Sequence, residues 1–144
     1  DKYNLDYKNQ LTEDKNNIQI QPIKYTSMLF KNIVSTRSVL IKKEVKSRFN
    51  PNSWYSEDYW LWLDLLHKGY KISRLPLYLS GFYKKPNSKK GLSSNLFQFF
   101  LSEFSVIKVQ PSISFTRSLV KLLALSFCIM KFCKRILLLN VLSR

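Results

Sequence analysis

Two apolar helical patterns separated by a single proline fill the last third of this chain, and they constrain its fold more than any other feature. Leu96, Phe97, Phe100, Leu101, Phe104 and Ile107 recur at three- and four-residue spacing, which is the period of one helix face. The spacing predicts a helix from Ser93 to Val109. Pro111 lacks an amide proton and ends it. A second, longer helix is predicted from about Phe115 to Leu142, rich in Leu, Ile and Phe but interrupted by Lys121, Lys131, Lys134 and Arg135.

The chain has 144 residues, enough for one domain, and 45% of them are hydrophobic, which suits a packed core. It opens at Asp1 on a polar stretch with no secretory signal pattern, so folding rather than completeness is the expectation. Lys and Arg number 24 against 9 Asp and Glu, a net charge of +15 that favours an anionic partner. The basic residues are spread along the chain without an Arg-rich arm or a nucleic-acid-binding motif, so nucleic acid is not expected as that partner. Cys128 and Cys133 lie five apart in an apolar helical pattern, which is no zinc spacing. They read as reduced core or interface thiols of a cytoplasmic protein. With His67 the only histidine, a Ser/His/Asp triad or a His-based metal cluster is poorly supported.

Residues 1–17 read as a polar loop. Ile18 to Ile23 alternates as a short strand that Pro22 would place near an edge. Tyr25 to Lys31 reads as a helix capped by Thr26, Val34 to Ile41 as a strand, and Lys42 to Arg48 as a short charged helix. After the turn-rich Phe49 to Ser53, Ser56 is a good N-cap for a helix carrying Glu57 and Asp58 in its first turn, where the helix dipole favours acids. That helix is expected to stop at Gly69. Tyr70 to Ile72 and Leu77 to Leu79 are short strand candidates, and Lys84 to Gly91 a basic loop.

The octet Ser56-Glu57-Asp58-Tyr59-Trp60-Leu61-Trp62-Leu63 carries the chemistry. Helical spacing puts Asp58, Leu61, Trp62 and Leu65 on one ridge, with Asp58 at its open end. A carboxylate beside flat apolar indoles can hold and deprotonate a sugar hydroxyl. The plainer reading is that acids in a first turn stabilise the helix and that Trp60 and Trp62 fill a core.

The octet also resembles a family. SEDYWLWLDLLHKGYKI is similar to the Glu-Asp and Leu-Trp-Leu pattern in the second half of family 2 glycosyltransferases. The upstream YTSMLFKNIVSTRSVLIKKEV and the downstream LPLYLSGFYKKPNSKKGLSSN resemble the segments on either side, so the match runs from about residue 20 to 110. The bacterial enzymes that build O-antigen, capsule or teichuronic acid are the most similar in pattern. The resemblance implies an α/β fold: a partial GT-A (Rossmann-like) domain over residues 1–110, without its nucleotide-binding half, followed by a basic amphipathic helix over 111–144.

The resemblance further implies an inverting transfer of a sugar from a nucleotide-sugar donor to a saccharide acceptor, with Asp58 as general base. Glu57, Trp60 and Trp62 would bind the acceptor. Relatives often carry Tyr-Arg where this chain has Phe82-Tyr83, so Lys84 or Lys85 would take over the contact to the donor diphosphate. The family's divalent metal, Mg or Mn, is held by an Asp-x-Asp motif that does not occur in this sequence, and its ligands are not expected within this chain. The resemblance puts the donor-binding half, on the order of a hundred residues, upstream of Asp1. By itself the chain is therefore expected to have little or no transferase activity. The other reading is a non-catalytic remnant, or a basic module that binds a membrane surface or a partner.

In the last helix the longest uncharged run, Leu122 to Met130, is far shorter than the roughly 20 residues needed to span a bilayer. Such a helix is expected either to lie in the interface of an anionic membrane, at the inner face of the plasma membrane, or to pack on the domain. Lipid-linked acceptors, common in the family, favour the membrane.

Overall fold

A computed structural model describes residues 19–50, 55–76, 95–112 and 114–142. In chain order the elements are β1 (Gln21–Pro22), α1 (Tyr25–Phe30), a 3-10 turn (Thr36–Ser38), α2 (Glu57–His67), β2 (Ser73–Arg74), α3 (Leu96–Val109) and α4 (Phe115–Leu142). The described residues are thus mostly helical, with one antiparallel pair of short strands in which Gln21 faces Arg74 and Pro22 faces Ser73. The ladder is extended by Ile23, whose amide donates to the Ile72 carbonyl at 2.9 Å.

The helix α2 forms the centre. Tyr59, Leu61, Trp62, Leu63 and Leu65 are all buried, so it is covered on nearly every side. Met28 and Leu29 of α1, Val106 and Ile107 of α3, and Ala124 and Cys128 of α4 complete one core. The expected division at residue 110 falls in the turn between α3 and α4, and helices on both sides of it share that core. Phe100 stacks on Phe132 with ring centroids 4.3 Å apart, and the edge of one ring of the Phe30–Phe127 pair meets the face of the other at 5.8 Å.

Three polar anchors are built into this apolar frame. The last carbonyls of a helix have no partner within it. In α1 those of Met28 and Leu29 are buried, and both accept from the Tyr59 hydroxyl at 2.9 Å. At the α3–α4 turn the buried Gln110 accepts from the Tyr25 hydroxyl at 3.3 Å and donates to the Val106 carbonyl at 3.1 Å. Its own carbonyl accepts from Lys121 Nζ at 2.6 Å. Between α3 and α4, Lys131 pairs with the buried Glu103 at 3.3 Å.

The two long C-terminal helices follow the sequence pattern closely. Asn95 caps α3 by accepting from the Gln98 amide at 3.1 Å. Ser114 caps α4 by accepting from the Arg117 amide at 3.3 Å. Gln110 is extended, as a residue before proline favours. At the C-terminal end of α2, the Gly69 amide donates to Leu66 and the Tyr70 amide to Leu65, which is a Schellman ending.

Several expectations are corrected. Val34 to Ile41 forms no strand: Asn32 Oδ1 accepts from the Val34 amide, and Ser38 bonds back to the Ser35 carbonyl through both its amide and its hydroxyl. These local bonds compete with sheet pairing. Lys42 to Arg48 forms a single turn, closed by the Val45 amide on Lys42, and not a helix. Lys42, Lys43, Lys46 and Arg48 crowd like charge along it, and the Arg48 guanidinium turns back onto the carbonyls of Val45 and Ser47. Thr26 lies inside α1, whose N-cap position is Lys24 without a side-chain bond. The strand expected at Tyr70 to Ile72 sits slightly later, at Ser73–Arg74. Residues 1–17, Leu77 to Leu79 and Lys84 to Gly91, expected as loop, strand and loop, lie outside the described residues.

Two stability predictions follow from these contacts. Gly69 has φ of 84° and open space where a Cβ would sit, so Gly69→Ala should cost about 1–2 kcal/mol through backbone strain alone, read by urea denaturation. Burial, reinforced by Glu103, Cys128 and Tyr25, pushes the Tyr59 phenol far above its usual range. Folded chains therefore keep that proton while unfolded chains lose it above about pH 10. Stability attributable to Tyr59 is complete below that pH and declines as the pH rises beyond it. In Tyr59→Phe the alkaline decline should flatten, while neutral-pH stability falls by about 1–3 kcal/mol for the two orphaned carbonyls.

Candidate functional site

The first turn of α2 is where the sequence concentrates its acids, and the fold holds that turn from two directions. From within the chain, Tyr59 is locked to the end of α1. Two residues past that end lies Asn32, whose Nδ2 donates to Asp58 Oδ2 at 3.3 Å. The same Asn32 accepts from the Val34 amide, so its side chain is fixed at both ends. From the other side, the Ser102 hydroxyl of α3 bonds to the Tyr55 carbonyl and ties down the approach to α2.

Asp58 is half-buried, and its Oδ1 accepts from the Tyr59 amide at 2.7 Å. It therefore uses one oxygen on the helix and one on Asn32, with lone pairs to spare for a third partner. Glu57 and Trp60, half-buried, flank it in the same turn. Trp62 differs: it is 2% exposed, packed edge to face with Phe49 at 6.2 Å, and belongs to the core. Lys84 and Lys85 lie outside the described residues.

Ser56 was expected to cap α2. It stands at the N-cap position, but with φ of 57° and ψ of 24° it adopts the left-handed conformation, and its side chain caps nothing. Non-glycine residues rarely occupy that region, which costs on the order of 1–3 kcal/mol and clusters at functional sites. The Ser56 hydroxyl is buried, and it has no hydrogen-bond partner among the described residues. The Trp62 indole N–H shares that condition. Beside α2, Lys42, Lys43, Arg48, Phe49 and Leu61 help line a shallow cavity of about 250 Å³, small for a ligand site.

Asn32 had appeared in the sequence only as part of a lead-in to the octet. No spacing rule connects it with a carboxylate 26 residues away, and only the tertiary link through Tyr59 does so. Among the described residues no group of three or more His, Cys, Asp or Glu side chains could hold a metal ion. No helix is long and apolar enough to cross a membrane among the described residues. Comparison with protein-family models, curated proteins and solved structures finds no match to the chain.

The two indoles should separate cleanly by substitution. Trp62→Ala removes a core side chain and should cost about 3–5 kcal/mol, a large part of the stability of a domain this size. Trp60→Ala should cost under about 2 kcal/mol. Thermal unfolding of the two variants followed by circular dichroism measures the difference.

Proposed function

We propose that this chain is the acceptor-side part of an inverting family 2 glycosyltransferase that acts on cell-surface saccharides. In this reading residues 1–110 are a portion of a GT-A domain, followed by a basic helix over 111–144. The observation that carries the proposal is Asp58, a half-buried carboxylate at the open end of α2, oriented by Asn32 and retaining free acceptor capacity. The resemblance of residues 56–63 to the family's Glu-Asp and Leu-Trp-Leu pattern assigns the same residue. A strained Ser56 with an unpartnered hydroxyl immediately before Glu57 and Asp58 adds support, because strain of this kind persists where the surrounding structure holds it for a purpose.

The chemistry is a single displacement. Asp58 accepts the proton of an acceptor hydroxyl as its oxygen bonds to the anomeric carbon of the donor sugar. The bond from that carbon to the nucleoside diphosphate breaks on the opposite face, and the diphosphate leaves with the electron pair. One carboxylate suffices because no covalent sugar–enzyme intermediate forms. Asn32 fixes the rotamer of Asp58, while Glu57 and Trp60 border the place where the acceptor ring would sit. Trp62 supports this turn from the core. The donor and the family's Mg or Mn are left to residues other than those described, with Lys84 and Lys85 as diphosphate contacts. The protein would work in the cytoplasm, at the inner face of the plasma membrane.

Asp58→Asn keeps the shape and the contact region of the carboxylate but removes the base. In protein expressed from the complete gene it should lower the transfer rate by about 10²–10⁴-fold with little change in acceptor affinity. Near-normal rates in this variant would refute the assignment of the base.

A further inference from the structure

The last helix divides its two faces in an unusual way. Ser118, Val120, Lys121, Ala124, Leu125, Phe127, Cys128, Lys131 and Phe132 turn inward and are buried or half-buried, on α1 and α3. On the outward face, helical spacing aligns Phe115, Leu119, Leu122, Ile129, Met130 and Leu137, all exposed, and Phe115 reaches 85%. The stripe runs for roughly 33 Å at the helical rise and carries no charge along that line. Three of the helix's cations turn toward the domain instead: Lys121 bonds to the Gln110 carbonyl, Lys131 to Glu103, and the Arg135 guanidinium lies over the Phe99 ring of α3 at 5.6 Å. Contiguous exposed apolar surface of this kind marks protein or membrane interaction sites.

We infer that the outward face of α4 docks on an anionic lipid surface, lying in the plane of the interface. Charge complementarity selects this occupant. The chain carries +15, α4 itself has five cations and no acid, and Lys134 is exposed beside the stripe. Lys134 follows Met130 by one turn and precedes Leu137, so it borders the stripe where its ammonium can reach lipid phosphates. A second copy of the chain would itself carry +15, so its approach meets net like-charge repulsion. The stripe is also broader than the two-position seam of a coiled coil, because Leu122 and Ile129 flank one edge and Leu123 and Met130 the other. Apolar insertion and electrostatic attraction together supply the two signals that stable attachment needs. This inference does not depend on the enzymatic reading.

Flotation of the chain with phosphatidylcholine vesicles, with and without about one-third phosphatidylglycerol, tests it directly. At least about tenfold more protein should float with the anionic vesicles, and the preference should collapse near 1 M salt. The exposed-site variant Leu119→Gln/Leu122→Gln/Ile129→Gln should lose binding while keeping its helical circular dichroism. Lys134→Gln should weaken the anionic preference and leave the fold intact. Equal flotation with both vesicles, or none with either, would overturn the inference. So would unchanged binding by the Leu/Ile variant, or a dimer that this variant abolishes without any flotation of the parent chain.

Discussion

A single phenol organises the centre of this protein. The six-residue helix α1 is too short to persist by itself, and its C-terminal carbonyls are buried where water cannot reach them. Tyr59 brings a hydroxyl to the carbonyls of both Met28 and Leu29 and so makes burial of that helix end tolerable. The consequence reaches beyond α1. Asn32 follows its last turn, and Asp58 precedes Tyr59 by one residue. Fixing Tyr59 on Met28 and Leu29 therefore brings Asn32 and Asp58 together. The stability of the core and the orientation of the proposed base have one origin.

The sequence was legible where pattern is dense. The bounds of α4, the break at Pro111 and the stop at Gly69 could all be read because periodicity, proline and a left-handed glycine act locally. Residues 34–48 were not legible for the opposite reason. Val34, Val39 and Ile41 suit a strand, but Asn32, Ser35 and Ser38 satisfy nearby backbone groups before any partner strand can. Beside them, a segment dense in lysine has little apolar surface with which to dock a helix. The expectation of an α/β fold holds in its coarse form, as helices with one small sheet.

The site was legible in part. Two acids in a first turn identify a helix start and a candidate base, but they say nothing of what orients the base. The helical ridge from Asp58 to Trp62 suggested that both residues face one pocket. Because α2 is buried nearly all round, the ridge leaves the surface within one turn, so Asp58 is half-buried and Trp62 fills the core. Periodicity distinguishes faces only when a helix has a wet one. Ser56 is the reverse case: a residue whose type predicts capping, held by tertiary contacts in a conformation that prevents it.

The same logic governs the outward side of α4. A helix with five cations would ordinarily be expected to show them to solvent, and its apolar residues to the core. Here the core takes the small residues Ala124 and Cys128, with Phe127 half-buried against Phe30, while Glu103 and the Gln110 carbonyl are acceptors that draw Lys131 and Lys121 inward. Breaking a buried pair such as Glu103–Lys131 leaves an uncompensated charge, so the inward cation is not free to exchange places with an outward leucine. The polar demands of the α3–α4 contact thus leave the opposite face apolar, which is the face proposed to meet a lipid surface.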